Sequence, residues 1–270
     1  MTARRSIALL ALLLLPCGVV ARAESARPLL DRCRNLDDTT RHWKDREQHV
    51  RLRLEKKGGA AQQRALTIYE RRLDGDEDQS LLFFESPAVI KGVGFLSFSH
   101  PGRPDEQWLY LPALKRARQI ATSKSARSES FVGTDLSFHD LDVLQDMTSW
   151  SEADAPSSLL GEEAVGGIPT YRIELKPARS DVYYARMLVW LGKDDLVMRR
   201  TEFFGDGPEP TKRIEQSDIR DVGAIPVAYH LEAATLARGS RTVMEVDEVR
   251  FNQGLTDDLF SQRALARGKR

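Results

Sequence analysis

From His49 onward, apolar and polar side chains alternate: Val50, Leu52 and Leu54 interleave with Arg51, Arg53 and Glu55. That is the period of a strand with one wet face. Runs of strand character recur at Ala65–Leu73, Gln79–Glu85, Gly94–Ser99, Gln107–Leu111, Arg116–Ala121, Pro169–Lys176, Tyr183–Leu191, Leu196–Phe204, Thr211–Arg220, Val227–Leu236 and Arg241–Phe251. Between them stand the residues that tight turns ask for, among them Gly58-Gly59, Asp74-Gly75, Pro101-Gly102, Gly166-Gly167, Gly205-Asp206-Gly207 and Arg238-Gly239. Connections this short leave no room for crossover helices, so the pattern predicts one large antiparallel sheet that must curl.

Helical spacing is scarce. Leu29, Leu30, Cys33, Leu36 and Trp43 predict one amphipathic helix between Ala26 and Arg46, with Pro28 in its first turn. Residues 122–160 break the strand rhythm with Ser, Thr, Asp and Ala, and predict short helices around Asp140–Asp146 and a loop at Ala153–Ser158. An excursion of this length in a compact domain reads as a lid or a disordered stretch. The tail from Asp257-Asp258-Leu259-Phe260 reads as a short capped helix.

Composition changes the picture at one end. The 270 residues balance 40 Lys and Arg against 40 Asp and Glu, with 41% apolar and 30% charged positions, which argues for a folded chain and against a basic nucleic-acid groove. The first 23 residues stand apart: Arg4 and Arg5, the apolar run Ile7–Leu15, and Ala21-Arg22-Ala23 predict a secretory signal peptide cleaved after Ala23. Pro16 before Cys17 argues against lipoprotein anchoring. Cleavage removes three arginines and no acid, leaving 37 basic and 40 acidic residues on one domain, 24–270, whose lone thiol is Cys33. No intramolecular disulfide can then form, and no later apolar run approaches the roughly 20 residues of a membrane span.

Catalytic chemistry is absent from the pattern. His42, His49, His100, His139 and His230 are scattered, Gly92-x-Gly94 is a fragment of a phosphate loop, and no nucleophile elbow occurs. Phe138-His139-Asp140 places His and Asp next to each other, where strand geometry points them apart. Asp74, Asp76, Asp78 and Glu85 imitate a calcium loop, yet Gln79 occupies the position that needs Gly and the flanks are strand-like. The sequence therefore predicts no enzyme, no metal and no cofactor.

The most informative stretch is Gln107-Trp108-Leu109-Tyr110-Leu111-Pro112-Ala113-Leu114-Lys115-Arg116. Trp108 and Tyr110 share one strand face, Leu109 and Leu111 the other, so both faces must be covered. This run resembles the hallmark of the bacterial outer-membrane lipoprotein-sorting protein family, related to the periplasmic lipoprotein carrier of the Lol pathway. Ser130-Phe131-Val132-Gly133-Thr134-Asp135, Phe84-x-x-Pro87 with Lys91-Gly92, Leu159-Leu160-Gly161-Glu162 and Asp258-Leu259-Phe260-Ser261-x-Arg263 extend the likeness. Glu129, where Gly is common, and Ser149-Trp150-Ser151-Glu152 depart from it. The resemblance implies a mainly β (α+β) fold, an unclosed antiparallel half-barrel with short helices as plug or lid. It also implies a periplasmic carrier for lipid or lipoprotein acyl chains, without catalytic residues.

Such a carrier needs an apolar hollow, for which Leu82, Phe84, Phe95, Trp108, Tyr110, Phe131 and Trp190 are the candidates. Lys115, Arg116 and Arg118 are candidates for a rim touching lipid phosphate, a membrane in transient contact, or a partner. Two other classes stay open: an accessory subunit of an inner-membrane resistance-nodulation-division-type transporter, and an envelope enzyme without a recognisable site.

Overall fold

The computed structural model describes residues 25–74, 77–100, 105–120 and 128–268. The signal-peptide reading of residues 1–23, with Cys17, lies outside them, as do Gly75, Asp76, the Pro101-Gly102 turn and the start of the excursion. The strands are β1 (Asp45–Glu55), β2 (Gln62–Arg72), β3 (Asp78–Ser86), β4 (Gly94–Ser99), β5 (Glu106–Leu111), β6 (Arg116–Gln119), β7 (Ser157–Val165), β8 (Ile168–Leu175), β9 (Arg186–Gly192), β10 (Met198–Phe204), β11 (Pro210–Val222), β12 (Ile225–Thr235) and β13 (Ser240–Phe251). They form one 13-stranded sheet in the order 6-5-4-3-2-1-13-12-11-10-9-8-7. Every pairing is antiparallel. Two meanders, β1–β6 and β7–β13, join where β1 meets β13, and β6 and β7 remain open edges. This is the mainly β, unclosed half-barrel that the strand rhythm and the resemblance lead one to expect.

Three helices accompany the sheet among the described residues: α1 (Arg27–Asp38), α2 (Phe138–Asp146) and α3 (Gln262–Arg267). None is long and apolar enough to cross a membrane. α1 and α2 lie in the concave half built by β7–β11, where Leu30, Cys33, Val143, Met147 and Trp150 pack with Ile173, Met187, Val189, Leu191 and Phe203. On the convex face, α3 packs Leu265, with Phe260 before it, onto Leu81, Phe83 and Leu96. Gly94 permits that approach, because a Cβ there would stand 2.7 Å from both Leu265 and Phe83.

Three expectations need correction. The amphipathic helix ends at Asp38 rather than reaching Arg46, and Trp43 packs beyond it on Phe251 at 5.8 Å. β1 begins early because the Asp45 carboxylate accepts the backbone N–H groups of Gln253 at 2.6 Å and Gly254 at 2.9 Å, fastening the strand start to the C-terminal segment. The expected loop at Ala153–Ser158 runs instead into β7. A bulge between Leu159 and Gly161, with Gly161 at φ +128°, leaves Leu160 exposed and breaks the alternation by which a strand is read. The tail helix exists but starts later, capped by Ser261, whose Oγ accepts the Ala264 N–H.

Candidate functional site

A cavity of about 480 Å³ lies between the concave face of β1–β5, β12 and β13 and the segment 131–144 that crosses it. Its interior is mainly apolar, with Ser97, Gln107, Thr134 and Thr242 among its lining. Leu52, Leu66, Ile68, Leu82, Phe95 and Met244 from the sheet meet Phe131, Leu136, Leu141 and Leu144 from the insert. Strand alternation explains the sheet side: cross-strand partners Val50 and Leu66, Gln48 and Ile68, and Leu82 and Phe95 share one face.

One end of the cavity is charged, lined by Asp37, Arg41, Trp43, Arg46, Glu70, Arg71, Arg72 and Asp78. Arg46 pairs with Glu70, and Arg41 with Asp37 at 3.8 Å. The guanidinium groups of Arg72 and Arg46 lie over the Trp43 ring at 4.1 and 5.1 Å. Burial raises the Asp37 carboxyl above its usual range, against the pull of Arg41 and Arg72. The result is an amphipathic container with an apolar interior and a mouth that offers both signs of charge.

The insert is held at several points, and the Ser130–Asp135 motif supplies three of them. Phe131 stands edge-on to Phe95 at 5.4 Å and to Phe138 at 5.3 Å. Val132 takes a left-handed backbone at φ 47°, unfavourable for a β-branched residue, and its carbonyl accepts from Arg64. The Asp135 N–H donates to Thr242 Oγ1 at 2.9 Å on β13, and Asp135 accepts from Ser240. Further along, Ser137 and Asp140 form a capping box at the start of α2, with the Ser137 N–H donating to Asp140 Oδ2 at 2.6 Å. The same fully buried carboxylate accepts from Tyr184 and pairs with Lys212, tying α2 to the loop before β9 and to β11. His139 stacks on Tyr183 at 4.1 Å and its Nε2 accepts the Tyr183 N–H at 3.0 Å, a structural role.

The structure places the candidate residues in three groups. Leu82, Phe95 and Phe131 line the cavity, and Phe84 packs in the same apolar cluster just behind it. Trp108 and Tyr110 point the other way, into the convex cluster under α3, while their neighbours Leu109 and Leu111 face the concave side. Trp190 is also convex, beside Leu188 and Phe204; its indole N–H donates to Glu163 at 3.1 Å and Arg200 covers its ring at 5.2 Å. Those three aromatics are redrawn as convex core, because α3 and the arginine stems supply the cover that a lipid was expected to give. Lys115, Arg116 and Arg118 are exposed at edge strand β6.

The mouth residues went unread. Arg46 shares the parity of Gln48 and Val50, which could have placed it on the cavity face. On β2, Glu70 and Arg72 likewise share the parity of Leu66 and Ile68; the pairing of β1 with β2 is what sets them beside Arg46.

The chain is similar to several solved structures. A domain named as an outer membrane lipoprotein-sorting protein from Vibrio parahaemolyticus is 24% identical with a TM-score of 0.78, covering 89% of this chain and 98% of that one. A DUF1329 family protein from Desulfovibrio piger is 27% identical with a TM-score of 0.79, covering 88% and 97%. A LolA superfamily protein from Nitrosomonas europaea has a TM-score of 0.62 at 15% identity, covering 90% and 100%. A protein family described as "Uncharacterized protein" matches residues 76–267. No curated protein matches the sequence.

Proposed function

Because the chain belongs to the family that matches residues 76–267 and has the fold of the outer-membrane lipoprotein-sorting and LolA-superfamily proteins, we propose that it is a periplasmic carrier. Its cargo is the acyl chains of a lipid or lipoprotein, shielded from water on the way towards the outer membrane. The signal peptide at residues 1–23 delivers the chain to that compartment, and residues 24–270 act as one domain.

The observation that carries this reading is the cavity of about 480 Å³, apolar within and charged at one end. Its volume falls in the range of about 300–1,000 Å³ typical of ligand sites. Each methylene moved from water into such a space contributes about 0.8 kcal/mol, so an aliphatic chain gains affinity without any directed bond. The polar end leaves a headgroup in contact with water and with the arginines around Trp43. Longer or multiple chains enter by displacing the insert, whose contacts with the sheet are side-chain contacts rather than strand pairing. Shielding an acyl chain requires neither a nucleophile nor a metal.

Mass spectrometry of organic extracts from protein purified out of its own periplasm is the direct test. Lipid or acyl-peptide present near one mole per mole is the expected result. Protein that is consistently empty, and that fails to protect an added acyl probe from water, would overturn the reading.

A further inference from the structure

The antiparallel meander sends alternate connections to opposite ends of the sheet. Four of them meet at one end: 56–61 between β1 and β2, 87–93 between β3 and β4, 112–115 between β5 and β6, and 236–239 between β12 and β13. Their adjacency is visible in the packing. A Cβ at Gly92 would stand 3.3 Å from Pro112, and one at Gly239 would stand 3.7 Å from Lys57.

These four connections contain no acidic residue, and they expose Lys56, Lys57, Lys91, Lys115 and Arg238. They also carry Val89, Leu114 and Leu236, whose fractional exposures are 87%, 66% and 38%. Glu55 and Glu232, at the strand ends behind the rim, are bound by Arg241. At the other end of the same strands Asp74, Glu77, Asp78 and Asp105 stand among Arg46, Arg71 and Arg72, so both signs meet there. On the β7–β13 half the connections 176–185 and 205–209, at the same end as the basic turns, carry Asp181, Asp206 and Glu209, which confines the basic rim to the β1–β6 half and the adjoining 236–239 turn.

Isolated exposed apolar residues are ordinary; three on turn tips along one rim, each beside cations and with no anion, are not. An anionic bilayer surface complements such a rim on two counts. Lipid phosphates attract the five cations, and the shallow interfacial region accepts short apolar tips. We propose that this rim of the half-barrel is a membrane-docking edge for anionic phospholipid, which rests the molecule on a bilayer by the β1–β6 half. The proposal goes beyond the carrier reading and does not need it.

Cosedimentation of the mature full chain with phosphatidylcholine vesicles, with and without phosphatidylglycerol, tests the edge. Binding is expected only with phosphatidylglycerol and weakens as salt rises. A cation near an anionic surface is worth about a factor of five in affinity, so Lys91→Gln with Lys115→Gln should weaken binding roughly thirtyfold. Val89→Asp with Leu114→Asp should weaken it at least about tenfold. Leu73→Asp, at the opposite end of the strands, should leave it unchanged. All five positions are on the surface, and circular dichroism checks that each variant folds. The proposal is overturned by absent binding at low salt, by equal binding to neutral vesicles, or by rim variants that bind like the parent. Rim variants that bind vesicles normally but lose an inner-membrane protein partner would overturn it too. Carried lipid, read separately by mass spectrometry, should persist in the rim variants, so failure of the edge and failure of the carrier reading give different results.

Discussion

Replacing Asp140 by Ala tests how the insert is held over the sheet. The carboxylate is fully buried, caps the first turn of α2 through the Ser137 N–H, accepts the Tyr184 hydroxyl and pairs with Lys212, itself only 13% exposed. Removing it leaves an ammonium buried without a counter-charge, which costs about 3–5 kcal/mol, and the lost cap overlaps with that figure rather than adding to it. Against a typical total of about 5–15 kcal/mol, this is a large fraction. Urea unfolding at neutral pH, followed by far-ultraviolet circular dichroism, should show a fall in midpoint with an unchanged slope. Adding Lys212→Met should restore much of the loss, because the unpaired charge is gone and an unbranched apolar side chain takes its place. A loss below about 1 kcal/mol, or a double variant no better than the single one, would refute the account of Asp140 as the insert's electrostatic anchor.

Other outcomes follow from the same geometry. Leu82→Trp, which puts a larger ring into the cavity, should reduce carried lipid measured by mass spectrometry while costing about 1–3 kcal/mol in urea unfolding; undiminished carriage would remove Leu82 from the ligand's path. Trp190→Ala should cost about 3–5 kcal/mol yet leave carriage intact in the folded fraction, because the ring is on the convex face. Asp146 is raised to about 6, chiefly by burial and next by Asp105, so its charged form is disfavoured in the folded protein. The penalty is absent below the unfolded value of 3.8, grows between there and about 6, and is full above. Asp146→Asn should therefore stabilise the protein at pH 7, by at most about 3 kcal/mol, and the gain should vanish below pH ~4 in unfolding curves run across pH. Cys33 is pushed up to about 12, mainly by burial, so a thiol reagent at pH 8 should label it slowly in the native protein and rapidly in urea.

The sheet was legible because its signals are local. Alternation at Val50, Leu52 and Leu54, or at Gln107–Leu111, needs only the strand's own period, and the Gly166-Gly167 hairpin needs only two residues at positive φ. Where the local signal was broken, the reading failed. The Gly161 bulge concealed β7, and helical spacing at Trp43 was coincidental because Asp45 starts a strand two residues later.

What the sequence determined by itself is therefore the antiparallel meander, the length of the excursion between its halves, and the fact that Trp108 and Tyr110 lie opposite Leu109 and Leu111. Which of those two faces is hollow was decided only in three dimensions. Both faces are apolar, and a period of two separates them without ranking them. The choice belongs to segments distant in sequence: Leu265 of α3 covers the aromatic face, and Phe131 and Phe138 close the aliphatic one without filling it. The charged mouth and the basic rim have the same origin. Each gathers residues from several connections or strands, and antiparallel register, absent from any single segment, brings them together.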